Sequence, residues 1–163
     1  MSEATAAAVR NDQYDIGESA QKDLYLTFHI GNEDFGIDIE HVIEIIGIQK
    51  ITEVPDMPYH IQGVINLRGK VISVMDVRLR FGMEKREYDD RTCVIVVNVA
   101  EDTVGLIVDR VNEVVEISND QIQPVPQLQQ NEEYIKGLGK LGTEVKILID
   151  VEQLIGKEDF VEE

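Results

Sequence analysis

A chain of 163 residues, 43% of them hydrophobic and none of them tryptophan, has room for one medium domain or two small ones with an aliphatic core. Its net charge of −17 disfavours nucleic acid and anionic lipid, whose phosphates require a basic surface. The single cysteine, Cys93, excludes an internal disulfide and suits a reducing compartment.

The opening residues carry no basic n-region and no apolar h-region. No apolar run nears the roughly 20 residues of a membrane helix, so a soluble, cytoplasmic protein is expected. Residues 1–22 show no sustained period and read as a disordered tail. Leu24, Leu26, Phe28 and Ile30 alternate with their neighbours as in a half-buried strand. Residues 31–34 turn and 35–39 return, which predicts a hairpin. Residues 40–46 allow a helical turn at their start and become a strand as β-branched residues accumulate. A loop closed by Pro55 and Pro58 follows.

Residues 61–77 then read as two apolar strands joined by the turn Asn66-Leu67-Arg68-Gly69, where Gly69 suits a positive φ. The second strand alternates poorly, so it is expected to be covered on both faces. Residues 76–82 predict a short helix, with Asp76 as N-cap and Gly82 at its stop. Residues 84–91 are a charged connector.

Beyond the connector the elements recur. Residues 92–99 form an apolar strand, 100–103 a turn, 104–108 its return, and 109–115 an acid-bearing segment like 40–46. Ser118 and Gln121 have capping-box spacing. A polar loop spans 127–133, a second hairpin 137–151 and a short helix 151–155, and 157–163 is an acidic end.

The recurrence is residue by residue. Positions 61–77 lie over 135–151 without a gap, and 36–45 lie over 105–114. Matching blocks in one order mean one module built twice. Two copies are too few for a solenoid, so each is expected to be a small closed unit. Across this alignment Arg68 falls on Gly142, so the module does not itself require an arginine there. Arg68 is either a solvated turn residue or an anchor for a partner.

No arrangement for catalysis stands out. Residues 137–142 fit G-x-G-x-x-G, but a polar loop precedes them and a strand follows, the reverse of what a pyrophosphate site needs. His29, His41 and His60 lack metal-ligand spacing, and Cys93 has no partner for zinc. Asp38, Glu40 and Glu44 read as solvated acids, with no EF-hand spacing. No serine sits in a G-x-S-x-G frame. What remains is a groove between the copies, for which Val42, Ile43, Val111 and Val114 offer apolar area and Arg68, with Glu44, an anchor. All four apolar residues could equally be core.

Gly36-Ile37-Asp38-Ile39, Val42, Glu44-Ile45, Gly63-Val64-Ile65-Asn66-Leu67-Arg68-Gly69 and Val108-Asp109 before Val111 together resemble CheW-type chemotaxis coupling proteins. The likeness runs from Leu24 to Ile155. It implies a mainly β fold: two small SH3-like five-stranded β-barrels packed together, with short helices. The barrels would span 23–83 and 92–156, with terminal strands open to exchange between them. It implies no catalysis and no cofactor. Its implied role is an adaptor between the regulatory domain of a CheA-type chemotaxis histidine kinase and the cytoplasmic hairpin of methyl-accepting chemoreceptors. Such a protein would sit at inner-membrane receptor clusters through its partners.

By position, the receptor-facing residues would be Val42, Glu44, Arg68 and Val114, and the kinase-facing ones Leu26 and Ile39. Two other functions compete with this one. A scaffold of the same fold could serve another receptor pathway such as surface motility, and gene neighbourhood separates the two. A β-barrel could instead use the groove for a small molecule, which a thermal-shift screen detects.

Overall fold

Alternation in the first hairpin sets the frame. Leu26, Phe28 and Ile30 of β1 (Leu24–Ile30) and Phe35 and Ile37 of β2 (Glu33–Asp38) are buried. The ladder places Phe28 opposite Phe35, and their rings stack at 5.8 Å. The structure, a computed structural model, describes residues 23–125 and 133–156. The expected tail, the acidic end and nearly all of the polar loop lie outside the described residues.

A 3-10 turn (Ile39–His41) leads into β3 (Val42–Gly47). The central hairpin is β4 (Ile61–Leu67) with β5 (Lys70–Asp76), followed by the one-turn helix α1 (Val77–Arg80). The second copy supplies β6 (Cys93–Val99), β7 (Asp102–Val108) and β8 (Arg110–Glu116). After a 3-10 turn (Asn119–Gln121) with the expected capping box come β9 (Ile122–Gln123), β10 (Ile135–Leu141), β11 (Glu144–Ile149) and α2 (Val151–Leu154).

The duplication is visible in the hydrogen bonds. Asp76 and Asp150 each cap the helix that follows, and their amides bond the carbonyls of the equivalent residues His60 and Tyr134. The β4–β5 ladder shifts register between Ile61 and Gly63, and the β10–β11 ladder shifts between Ile135 and Gly137.

The sheets, however, mix the two copies. One sheet has the order β8-β1-β2-β11-β10-β9 and the other β3-β6-β7-β5-β4. Each copy lends its first hairpin to the last hairpin of the other. The joints are two equivalent parallel pairings, β2 with β11 and β5 with β7.

This corrects the expected fold class. Neither sheet closes into an SH3-like five-stranded barrel. Closure needs a hydrogen-bonded ladder between first and last strand. Both strand orders are linear, with six strands in one sheet and five in the other, and their end strands do not pair. The edge of β4 is covered by the preceding loop, whose Thr52 makes a two-bond bridge to Val64. A covered edge needs no ring closure to be satisfied.

The largest apolar cluster lies between the sheets and takes Leu26, Phe28 and Ile37 from one, and Ile95, Val97 and Leu106 from the other. Intervening residues feed smaller clusters on the opposite faces, Val94, Val96 and Val74 on one sheet and Tyr25 and Leu148 on the other. That is why β6 reads as apolar and β5 alternates poorly: both of their faces meet a core.

Candidate functional site

The site is built on the β4–β5 turn. Leu67 pairs with Lys70, leaving Arg68 and Gly69 as the two loop residues. Their φ angles are 51° and 89°, the double left-handed signature of a type I′ hairpin. Asn66 Oδ1 accepts the Gly69 amide at 2.7 Å and fixes the turn. The Arg68 side chain is 68% exposed and its guanidinium meets the Glu44 carboxylate on β3. No backbone ladder joins β3 to β4, so this ion pair links two end strands of one sheet.

Magnitudes separate a structural from a functional arginine here. A left-handed conformation costs an L residue about 1–2 kcal/mol. An exposed ion pair contributes about 0.2–1 kcal/mol. The pair does not offset the backbone cost, so stability alone does not select arginine at this position. The equivalent turn carries Gly142, at φ 63°, the residue for which that conformation is free.

A β-bulge aims Glu44 outward. The β3–β6 ladder skips a residue between Val42 and Glu44. Val42 and Ile45 both enter the core between the sheets, while Ile43 and Glu44 between them reach the surface. Ile43 is 48% exposed, and Val71, just past the Arg68 turn, is 44% exposed. The Arg68–Glu44 pair, with exposed Ile43 next to Glu44 and exposed Val71 three residues past Arg68, has the composition of a protein-binding hot spot.

The structure thus brings Arg68 and Glu44 together, of the four expected receptor-facing residues. Val42 is buried two residues before Glu44. Val114 is half-buried on the other sheet, packed against the same central cluster. It is held by the equivalent bulge, whose Glu113 carbonyl accepts the Thr27 hydroxyl at 2.7 Å. Leu26, expected to face a kinase, is fully buried opposite Val114 in the β1–β8 ladder. Ile39 is buried in the turn before β3.

The charged connector is tied down along its length. Tyr88 Oη donates to the buried Asp76 carboxylate at 2.7 Å, and burial first, then that bond, pushes the phenol up from its usual value. Arg86 pairs with Asp89 and with Asp109. Asp109 also receives a two-pronged bond from Arg78, at 2.9 and 2.7 Å, and the Gly31 amide at 2.8 Å. Burial raises the Asp109 carboxyl, but these donors and the charges of Arg78 and Arg86 outweigh it and hold it below the usual carboxylate range. Burial raises the Cys93 thiol, which suits a packing residue more than a nucleophile.

This grouping had no signal in local sequence, because the partners of Asp109 come from the β1–β2 turn, α1 and the connector. The G-x-G-x-x-G stretch lies along β10 and its turn, with no helix after it. Among the described residues, no cluster of His, Cys, Asp and Glu is arranged to hold a metal ion, and no helix is long and apolar enough to cross a membrane.

The model of the family described as CheW-like domain matches residues 24–159. The chain is 40% identical over 138 residues to a chemotaxis protein CheW of Klebsiella aerogenes, covering 83% of each. It is 31% identical over 159 residues to a chemotaxis protein CheW of Helicobacter pylori, covering 97% of this chain and 92% of the relative. The crystal structure of the scaffolding protein TtCheW from Thermoanaerobacter tengcongensis superposes with a TM-score of 0.76 at 34% identity, covering 82% of this chain and 92% of that one.

Proposed function

The chain belongs to the CheW-like family of chemotaxis proteins, and on that premise we propose that it works as a two-sided adaptor whose receptor-facing contact is centred on Arg68. It is a non-catalytic coupling protein that links chemoreceptors to a CheA-type histidine kinase. The finer reading is that it meets the cytoplasmic hairpin of a methyl-accepting receptor on one side and the kinase regulatory domain on the other, in clusters at the inner membrane.

One observation carries the receptor assignment: Arg68 occupies a left-handed turn position that the other copy fills with glycine, and it is exposed and held by Glu44. In this reading Arg68 and Glu44 form the polar contact, and Val42 and Val114 support the receptor-facing surface through the central core. Leu26 and Ile39 act on the kinase side from below, by shaping the backbone that the kinase meets. Residues 23–83 and 92–156 are the two copies of the ancestral unit.

An adaptor has no chemistry of its own to contribute. It acts by binding one state of an assembly better than another, and it shifts the kinase by that difference in affinity. Contacts of modest area give individual dissociation constants of about micromolar, and repeated contacts in an array supply the rest.

The test is co-sedimentation of this protein with receptor cytoplasmic fragments and the kinase. A ternary complex is expected at tens of micromolar, on the order of such affinities. Arg68→Glu is expected to lose receptor while retaining kinase, with circular dichroism as the folding control. Failure of the wild-type protein to form any complex under those conditions overturns the adaptor reading. Retention of receptor by Arg68→Glu overturns the assignment of the site.

A further inference from the structure

We propose that the cavity between the β1–β2 turn, the charged connector and the start of β8 binds a phosphate-class dianion. The cavity has a volume of about 320 Å³ and is lined by Arg86, Arg91 and Arg110, by the turn residues Gly31 and Asn32, and by Asp109. It shares no residue with the Arg68–Glu44 contact.

The charges in it do not balance. Asp109 is the one carboxylate in the lining, and Arg78, Arg86 and the Gly31 amide already occupy it. Arg86 divides itself between Asp109 and Asp89. The guanidinium groups of Arg91 and Arg110 have no hydrogen-bond or ion-pair partner among the described residues. Both are fixed at their backbones: Asp89 Oδ1 accepts the Arg91 amide at 2.8 Å, and Arg110 sits opposite His29 in the β1–β8 ladder. The His29 ring, also in the lining, turns its Nδ1 to Asp34 at 2.7 Å and adds no acceptor for either arginine.

The doubled fold does not call for this grouping. At the equivalent places in the other copy, Arg110 becomes His41, Arg78 becomes Glu152 and Gly31 becomes Ala100. Seven arginines (10, 68, 78, 80, 86, 91 and 110) serve a chain of net charge −17; two of them, Arg78 and Arg86, pair with Asp109, and Arg91 and Arg110 join Arg86 in lining the cavity beside it. Arg86, Arg91 and Arg110 are exposed, so solvent screens part of their mutual repulsion, and an anion among them offsets the rest.

The occupant follows from the donor count. A monocarboxylate is matched by one guanidinium fork. A phosphate offers more acceptor oxygens and a second charge, and so can take bonds from Arg91 and Arg110 together. The volume leaves space beside one phosphate for a second phosphoryl group or an ester substituent, so the shared chemistry is the phosphoryl group, whether free or carried.

The test is an amide NMR titration of the intact protein with inorganic phosphate and, separately, pyrophosphate, at ionic strength held constant with sodium chloride. Saturable shifts are expected at Gly31, Asn32, Arg91 and Arg110, with dissociation constants of about 1 mM or tighter. Tighter binding of pyrophosphate indicates a carried or extended ligand, and equal binding the free ion, each in support. Arg91→Ala and Arg110→Ala are both expected to weaken binding at least about fivefold, a loss typical of one charged hydrogen bond. Exposed Lys50→Ala is expected to bind as wild type. Absence of a saturable shift by about 20 mM, well beyond the expected constant, overturns the proposal. So do equal shifts with acetate, or undiminished binding in the two arginine variants. None of these outcomes depends on receptor or kinase.

Discussion

Arg68 and Gly142 stand at the same place in the two halves of the molecule, each with a left-handed backbone, at φ 51° and 63°. One half fills the position with the residue the backbone favours, and the other with a residue that it disfavours. Arg68→Gly is therefore expected to leave the melting temperature unchanged or raised, because relief of the turn exceeds the loss of an exposed ion pair. The same variant is expected to bind a receptor hairpin at least about tenfold more weakly, or 1.4 kcal/mol. Thermal unfolding and a binding isotherm read the two effects separately. An unfolded Arg68→Gly protein would make the arginine structural.

Asp109 joins α1, the connector and the β1–β2 turn through Arg78, Arg86 and the Gly31 amide. Its carboxyl stays ionised to lower pH in the folded protein than in the unfolded chain. The unfolded state therefore binds more protons in the acid range, and stability rises with pH there. The contribution is complete above the ordinary value of about 3.9 and is lost as pH falls through the depressed folded value. Asp109→Asn is expected to cost about 2 kcal/mol at pH 7, a figure for lost charged hydrogen bonds in a partly buried site. Urea unfolding at pH 7 and pH 3 checks this. The gap between variant and wild type is expected to narrow at pH 3, and a constant gap refutes the charge argument.

Gly63 lets the preceding loop lie against β4. Its φ is 146°, and a Cβ placed there would run into the Thr52 carbonyl. That carbonyl and the Thr52 amide bond Val64 at 2.8 and 2.9 Å, so the loop cannot withdraw without giving up the bridge. Gly63→Ala is expected to destabilise by about 2 kcal/mol or more. Denaturant midpoints measure it, and loss of amide-exchange protection at Val64 would localise the damage to the bridge.

Ala100 ends the β6–β7 turn's first half at φ 51°, where the equivalent Gly31 has φ 63°. It is exposed. Ala100→Gly is expected to stabilise the protein by about 0.5–1 kcal/mol, the left-handed strain relieved less the extra chain entropy of glycine. An unchanged or lower melting temperature would show that the turn bears no such strain.

Local features are legible in the sequence. Alternation marked β1, side-chain chemistry marked the Asp76 cap and the Ser118 box, and the gapless match of 61–77 to 135–151 exposed the duplication. The repeat singles out Arg68, the groove and the family resemblance add Glu44, and the two side chains meet. Val42 and Glu44 show where such reasoning fails. Two residues apart, they share a face on a regular strand. The bulge at Ile43 buries Val42 and leaves Glu44 half-buried, turned to the surface.

The chain by itself determined what depends on neighbours in sequence: strands, caps, turn residues, the repeat and the family it belongs to. The tertiary structure alone decided which strand pairs with which, that the sheets stay open, that the copies exchange hairpins, and that Arg78 and Arg86 meet at the Asp109 carboxylate. The physical reason is range. A turn or a cap is stabilised by groups a few residues apart, whereas ladder register and bulges are selected by burial against partners that arrive from elsewhere in the chain.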